Sequence, residues 1–292
     1  MTSVFKKTLC SAVTILSCAT QIAIAAPEIA WSQSGFDQPE SVLAHPDEPL
    51  LYVSNINGTP TELNGKGYIS LLSDDGSIIQ HVWVNGMDAP KGMAMDADYL
   101  YVADMQRLHI IDYKQGKLIR SITAETSSML NDIAIDNAGT VYISDLTGGG
   151  IYRYRNNSLT PWISSEQLPH PNGLMVKDGA LIVATWGEGM KEDFSTETLG
   201  GLVSINLETG TLTPYKSAQQ FGNLDGIASA GDSLIISDWL NGKIFEFKND
   251  AVQLLMETGK HSADISTKGE YLYIPMMFSQ RIEAYKIHPQ QT

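Results

Sequence analysis

The sequence predicts an all-β fold, a single six-bladed β-propeller over residues 26–292, and three observations predict it. A short phrase recurs six times. It reads Pro39-Glu40-Ser41-Val42, Pro90-Lys91-Gly92-Met93, Leu130-Asn131-Asp132-Ile133, Pro171-Asn172-Gly173-Leu174, Leu224-Asp225-Gly226-Ile227 and, more loosely, Ser262-Ala263-Asp264-Ile265. The second residues of the copies lie 51, 40, 41, 53 and 38 positions apart, which brackets the length of a four-stranded propeller blade. Each copy leads through a turn bearing Asp, Asn or Gly into a short alternating apolar run, such as Leu51-Tyr52-Val53-Ser54-Asn55 or Val141-Tyr142-Ile143-Ser144-Asp145. No long amphipathic helical pattern interrupts these runs.

The elements follow in order. Lys6 and Lys7 precede an apolar stretch from Leu9 to Ala19, and Ala23-Ile24-Ala25 supplies small residues before Ala26. That is the pattern of a cleaved signal peptide over 1–25, so the protein is expected to be periplasmic or secreted. The stretch is short for a membrane span, and no later segment is long enough for one. Within the third copy, strands are expected at 131–136, 140–144, 150–155 and 159–163. The last copy holds three, at 263–266, 271–274 and 282–287. The segment 28–35 has no partner in its own blade, so it is expected to supply the missing outer strand of blade six. Pairing the chain ends in this way closes the ring and removes an exposed sheet edge. The two long intervals reflect inserts after second strands, at 56–67 and 187–200.

Composition narrows the function. The formal charge is −14, and the segment 1–25 carries Lys6 and Lys7 but no acid, so its removal leaves −16. A surface this acidic disfavours nucleic acid and anionic membrane as partners and leaves a small molecule as the expected one. Both cysteines, Cys10 and Cys18, fall in the leader, which excludes disulfides, thiolate metal sites and a cysteine nucleophile from the remainder.

Propeller topology directs attention to the second residue of each phrase. The innermost strand of a blade begins on the face that receives the preceding connection, so Glu40, Lys91, Asn131, Asn172, Asp225 and Ala263 should ring one mouth of the central tunnel. Second strands end, and both inserts rise, on that same face. An Asn or Asp opening a strand ordinarily serves a turn. Four acidic or amide residues at equivalent positions around one axis instead make an oxygen-rich, sulfur-free set suited to a hard divalent cation, Ca²⁺ above all. Lys91 does not fit that set: its ammonium can pair with Glu40 or Asp225, or face an anionic substrate. Trp186 and Trp239, with Met105, Met276, Met277 and Phe278, are expected to form apolar walls for a substrate. His261 and Asp264 flank the start of blade six, where they could form a proton-transfer pair. No nucleophile elbow and no phosphate-binding loop occurs.

These phrases resemble those of the regucalcin/gluconolactonase group of six-bladed propellers and, more distantly, paraoxonases and strictosidine-synthase-like proteins. The resemblance runs from about Pro39 to Ile287 and rests on Pro39-Glu40, Asn131-Asp132, Pro171-Asn172-Gly173 and Leu224-Asp225-Gly226. It implies that Glu40, Asn172 and Asp225 bind a divalent metal and that Asn131 contacts metal-bound water or substrate. It further implies hydrolysis of a small lactone or ester, with the metal polarising the carbonyl and Asp225 as base or water-orienting group. Sugar-lactone members of the group often carry Arg two residues before the third-blade Asn, where this chain has Met129. The competing expectation is a non-enzymatic propeller that binds a ligand or a protein partner at the same face.

Overall fold

The computed structural model describes residues 27–287, so the predicted signal peptide lies outside the described residues. They form six four-stranded antiparallel sheets. Blade one comprises Pro39–Ala44, Leu50–Asn55, Gly67–Ser73 and Ile78–Met87 from the inside outwards, and the next four blades repeat this meander. The expected strands of blade three appear at Leu130–Ile135, Val141–Asp145, Ile151–Arg155 and Ser158–Ile163, each within a residue of its predicted start and end. Among the described residues the only helical element is a single 3₁₀ turn, Met277–Ser279, and no helix is long and apolar enough to cross a membrane.

The sixth blade is built from both chain ends. Its order is Ser266–Lys268, Tyr271–Met276, Arg281–Lys286 and, outermost, Glu28–Ser34. Glu28 pairs with Lys286 and Ser34 with Arg281, so the strand read from 28–35 closes the ring as expected. The second strand extends to Met276 rather than 274, and the inner strand runs Ser266–Lys268 rather than 263–266. The inner strand starts late because of a second closure further in. Asp264 donates its N–H to Glu40 O at 2.9 Å, and Val42 donates to Asp264 O at 3.3 Å, in a parallel bridge to blade one. Residues 263–265 thus give part of their backbone bonding to a neighbouring blade.

The core lies between blades. Tyr101, Leu108 and Ile110 of blade two pack against Ile133, Val141 and Ile143 of blade three. Tyr273, Ile282 and Ala284 of blade six pack against Val42, Leu51 and Val53 of blade one in the same manner. Second strands are buried on both faces, which is why they read as nearly continuous apolar runs. Burying both faces of every sheet removes enough apolar area from water to hold the chain without a cross-link.

Candidate functional site

In five blades the innermost strand breaks register within the repeated phrase, between Pro39 and Ser41, Pro90 and Met93, Leu130 and Ile133, Pro171 and Leu174, and Leu224 and Ile227. Each break is a bulge, which bends a strand and re-aims the side chain inside it. The bulges carry the side chains of Glu40, Lys91, Asn131, Asn172 and Asp225, all five of which line one cavity, and that of Asp132, which faces the other side of the inner strands. Close approach of the inner strands permits this. A Cβ on Gly173 would lie 2.0 Å from Asp225 O, and one on Gly226 would lie 2.5 Å from Asp264 Oδ1, so only glycine fits at these two positions.

The cavity is small, with about 40 Å³ open to a water-sized sphere, room for an ion or a water rather than a large ligand. Its polar residues are almost fully buried, Glu40 at 4% exposure and Lys91 at 2%. Asn172 donates through Nδ2 to Asp225 Oδ1 at 2.9 Å and to Leu224 O at 3.2 Å, which turns its own Oδ1 away from those partners. Three buried side-chain oxygens of the described cavity lining have no hydrogen-bond partner: Glu40 Oε2, Asn131 Oδ1 and Asn172 Oδ1. Leaving such atoms unsatisfied costs about 1–3 kcal/mol each, and three on residues lining one cavity are most simply explained by a cationic or hydrogen-donating guest.

Charge sharpens the point. Burial pushes the Glu40 carboxyl well above its usual range; Lys91 opposes the shift, while Asp225, Asp264 and Asp132 add to it. Burial likewise raises Asp225, with repulsion from Asp264 next, against the Asn172 hydrogen bond and Lys91. Burial lowers Lys91, opposed by Glu40, Asp104 and Asp225. One ammonium therefore faces several buried carboxyls.

Lys91 does not make the ion pair that sequence reasoning allowed. Its Nζ donates instead to Pro60 O at 2.8 Å and Ala89 O at 3.3 Å, tying the 56–67 insert over the mouth. No nitrogen–oxygen contact within 4 Å joins it to Glu40 or Asp225. Trp186 and Trp239 line the cavity as expected, with Met129, Leu146, Phe194 and Met277. His261 and Asp264 do not line it. The His261 ring stands edge-on to Trp239 and Phe278, with ring centres 4.3 and 4.6 Å away. Asp264 points to the other side of the inner strands, where it accepts from Ser41 Oγ at 2.5 Å and lines a second cavity together with Asp132. Its side chain follows Ala263 by one residue, and successive strand residues face opposite ways. No proton-transfer pair forms between the two residues.

Sequence reasoning missed three lining residues, Pro60, Leu146 and Phe194. Pro60 and Phe194 sit in the two inserts whose placement was readable. Phe194 holds a left-handed backbone, with φ of 63°, and Trp186 Nε1 donates to its carbonyl at 2.8 Å. Asn223 Nδ2 braces the same insert by donating to Trp186 O and Thr196 Oγ1. Among the described residues no group of three or more His, Cys, Asp or Glu side chains forms a metal site. The axial set has only two carboxylates and completes itself with carboxamides. All-oxygen donors with unpartnered acceptors nevertheless fit a hard cation.

No protein-family model matches the chain, and no curated protein matches it significantly. Solved structures do. A gluconolactonase from Xanthomonas campestris is 15% identical over 91% of this chain and 96% of its own, with a TM-score of 0.67. A catalytically inactive histidine-to-alanine variant of virginiamycin B lyase from Staphylococcus aureus, crystallised with quinupristin, is 16% identical over 88% and 99%, with a TM-score of 0.59. A chain of a nidogen/laminin complex is 15% identical over 78% and 92%, with a TM-score of 0.58. At such identities the likeness shows the fold, and the fold is shared by an enzyme of lactone chemistry, a lyase and a member of a protein complex.

Proposed function

We propose that this protein is an exported hydrolase of a small lactone or ester that works with a divalent cation, Ca²⁺ in first place, at the tunnel axis. The observation that carries the reading is the set of unpartnered buried oxygens on Glu40, Asn131 and Asn172 around one cavity with Asp225. Glu40, Asn131, Asn172 and Asp225 would hold the cation, which, when bound, supplies a Lewis acid for the substrate carbonyl. Asp225 is fixed through Oδ1 by Asn172, which leaves Oδ2 to orient a water or take its proton. Asn131 presents a carboxamide to the same space and would position substrate or water. The Lys91 ammonium spends two of its three N–H groups on Pro60 and Ala89, and the third is free for the carboxylate that ester cleavage releases. The apolar residues above exclude bulk water, which strengthens each of these interactions.

The test is thermal. Millimolar Ca²⁺ should raise the melting temperature of the wild type and leave Asp225→Ala unmoved, because a ligand that binds only the native state stabilises it by mass action. A wild type unmoved by Ca²⁺, Mg²⁺, Mn²⁺ and Zn²⁺ would remove the cation from this proposal. A panel of lactones and aryl esters without metal-dependent turnover would remove the hydrolase.

One observation favours a second reading. A buried ammonium in the same cavity supplies cationic charge without a metal, and a propeller whose Lys91 occupies the axis would be a binding module.

A further inference from the structure

The residue that follows each second strand forms a second ring, stacked on the polar one. Blade by blade it is Ile56, Met105, Leu146, Trp186, Trp239 and Met277. All six belong to one apolar cluster, and Phe194 packs into it. The backbone builds the ring by one rule. Ile56, Leu146, Trp186, Trp239 and Met277 donate their N–H groups to Gln38, Met129, His170, Asn223 and His261, each two residues ahead of its blade's phrase position. The collar therefore stands at a fixed height over Glu40, Lys91, Asn131, Asn172 and Asp225. Every blade contributes hydrocarbon, sulfur or an aromatic ring to it. None contributes a hydroxyl, amide or charge, and the hydrogen-bonding groups of the ring are two indole N–H donors, that of Trp186 spent on Phe194 O.

On one side the collar continues outwards. Trp239 lies 5.7 Å from Trp186, 6.4 Å from Phe194 and 5.8 Å from Phe278 between ring centres, and Phe278 is 49% exposed. This aromatic track, with the His261 ring packed against Trp239 and Phe278, runs from the cavity lining to an exposed side chain. A polyhydroxylated lactone would have to strip its hydroxyls of water against a collar that offers far fewer polar partners than it has hydroxyls, at a cost of about 1–3 kcal/mol per unpaired hydroxyl. A hydrocarbon or aromatic group gains on the same surface.

We infer that the collar and the Trp239 track select a lactone or ester whose non-reacting part is aromatic or aliphatic, and reject sugar lactones. The inference rests on the hydrolase reading for the word ester and on the collar alone for the word apolar. Space open at the axis is smaller than a lactone ring, so the apolar part of the ligand is placed against the Trp239 track.

The experiment pairs turnover with binding. Hydrolysis of a benzo-fused six-membered lactone is compared with that of glucono-δ-lactone, and the non-hydrolysable lactam of the benzo-fused compound is titrated by calorimetry into wild type, Trp239→Ala and Phe194→Ala. The expected result is kcat/KM at least a hundredfold higher for the aromatic lactone and lactam binding weakened about tenfold in both variants. Lactam binding without turnover of either lactone upholds the apolar ligand and overturns the hydrolase. Faster turnover of glucono-δ-lactone overturns the inference and keeps the hydrolase. Absence of both turnover and lactam binding in a folded wild type overturns both.

Discussion

Asn172 shows how one amide sets the chemistry of its neighbours. By giving both of its side-chain N–H groups to Asp225 and Leu224, it exposes its own oxygen and locks one carboxylate oxygen of Asp225. Asn172→Ala would remove both that donor and an oxygen ligand of the proposed cation, so Ca²⁺ binding measured by calorimetry should weaken at least tenfold, about 1.4 kcal/mol. Lys91 should act in the opposite direction. Lys91→Met removes a like charge beside the proposed cation, and Ca²⁺ should then bind about tenfold more tightly in the same assay. It also deprives Pro60 of its donor, so protease cleavage in the 56–67 insert should become faster. That Glu40, Lys91, Asn131, Asn172 and Asp225 share one cavity was legible in the sequence because they recur at one repeat position. The direction of the Lys91 ammonium was not, since a long side chain can reach either a carboxylate or a loop carbonyl and only the placed insert decides between them.

At the scale of elements, bulges and glycines bring the inner strands close together. Gly173→Ala would set a Cβ 2.0 Å from a backbone oxygen of the next blade and should cost about 2 kcal/mol or more in denaturant unfolding. A loss under 0.5 kcal/mol would mean that the inner strands are free to separate. Deleting the strand Glu28–Ser34 leaves Arg281–Lys286 as an open edge, and light scattering should then reveal association that the full ring prevents. Strand positions and ring closure could be read from spacing and alternation. The bulges could not, because the extra residue is recognised only against its partner strand. The collar was half visible. Trp186, Trp239, Met105 and Met277 drew notice as large residues, but Leu146 and Ile56 look like any buried strand end until all six are aligned around the axis.

The whole molecule concentrates acid on its axis. Asp264 is pushed up to about 7 by burial, against hydrogen bonds from Ser41 and Ile265, from an ordinary value of 3.8. A carboxyl whose native value exceeds its unfolded one stabilises the fold fully below the unfolded value and loses that contribution as pH rises through the native one. The metal-free protein should therefore melt several degrees lower at pH 8 than at pH 5, and Asp264→Asn should flatten that dependence. Bound Ca²⁺ should narrow the difference, since it offsets carboxylate repulsion where the carboxylates are ionised. If the axial oxygens hold a divalent cation, a crystal of the protein grown with Ca²⁺ should show, in anomalous scattering, a peak about 2.4 Å from oxygens of Glu40, Asn131, Asn172 and Asp225. A Lys91 ammonium at that position, with no anomalous signal, would contradict a bound cation there.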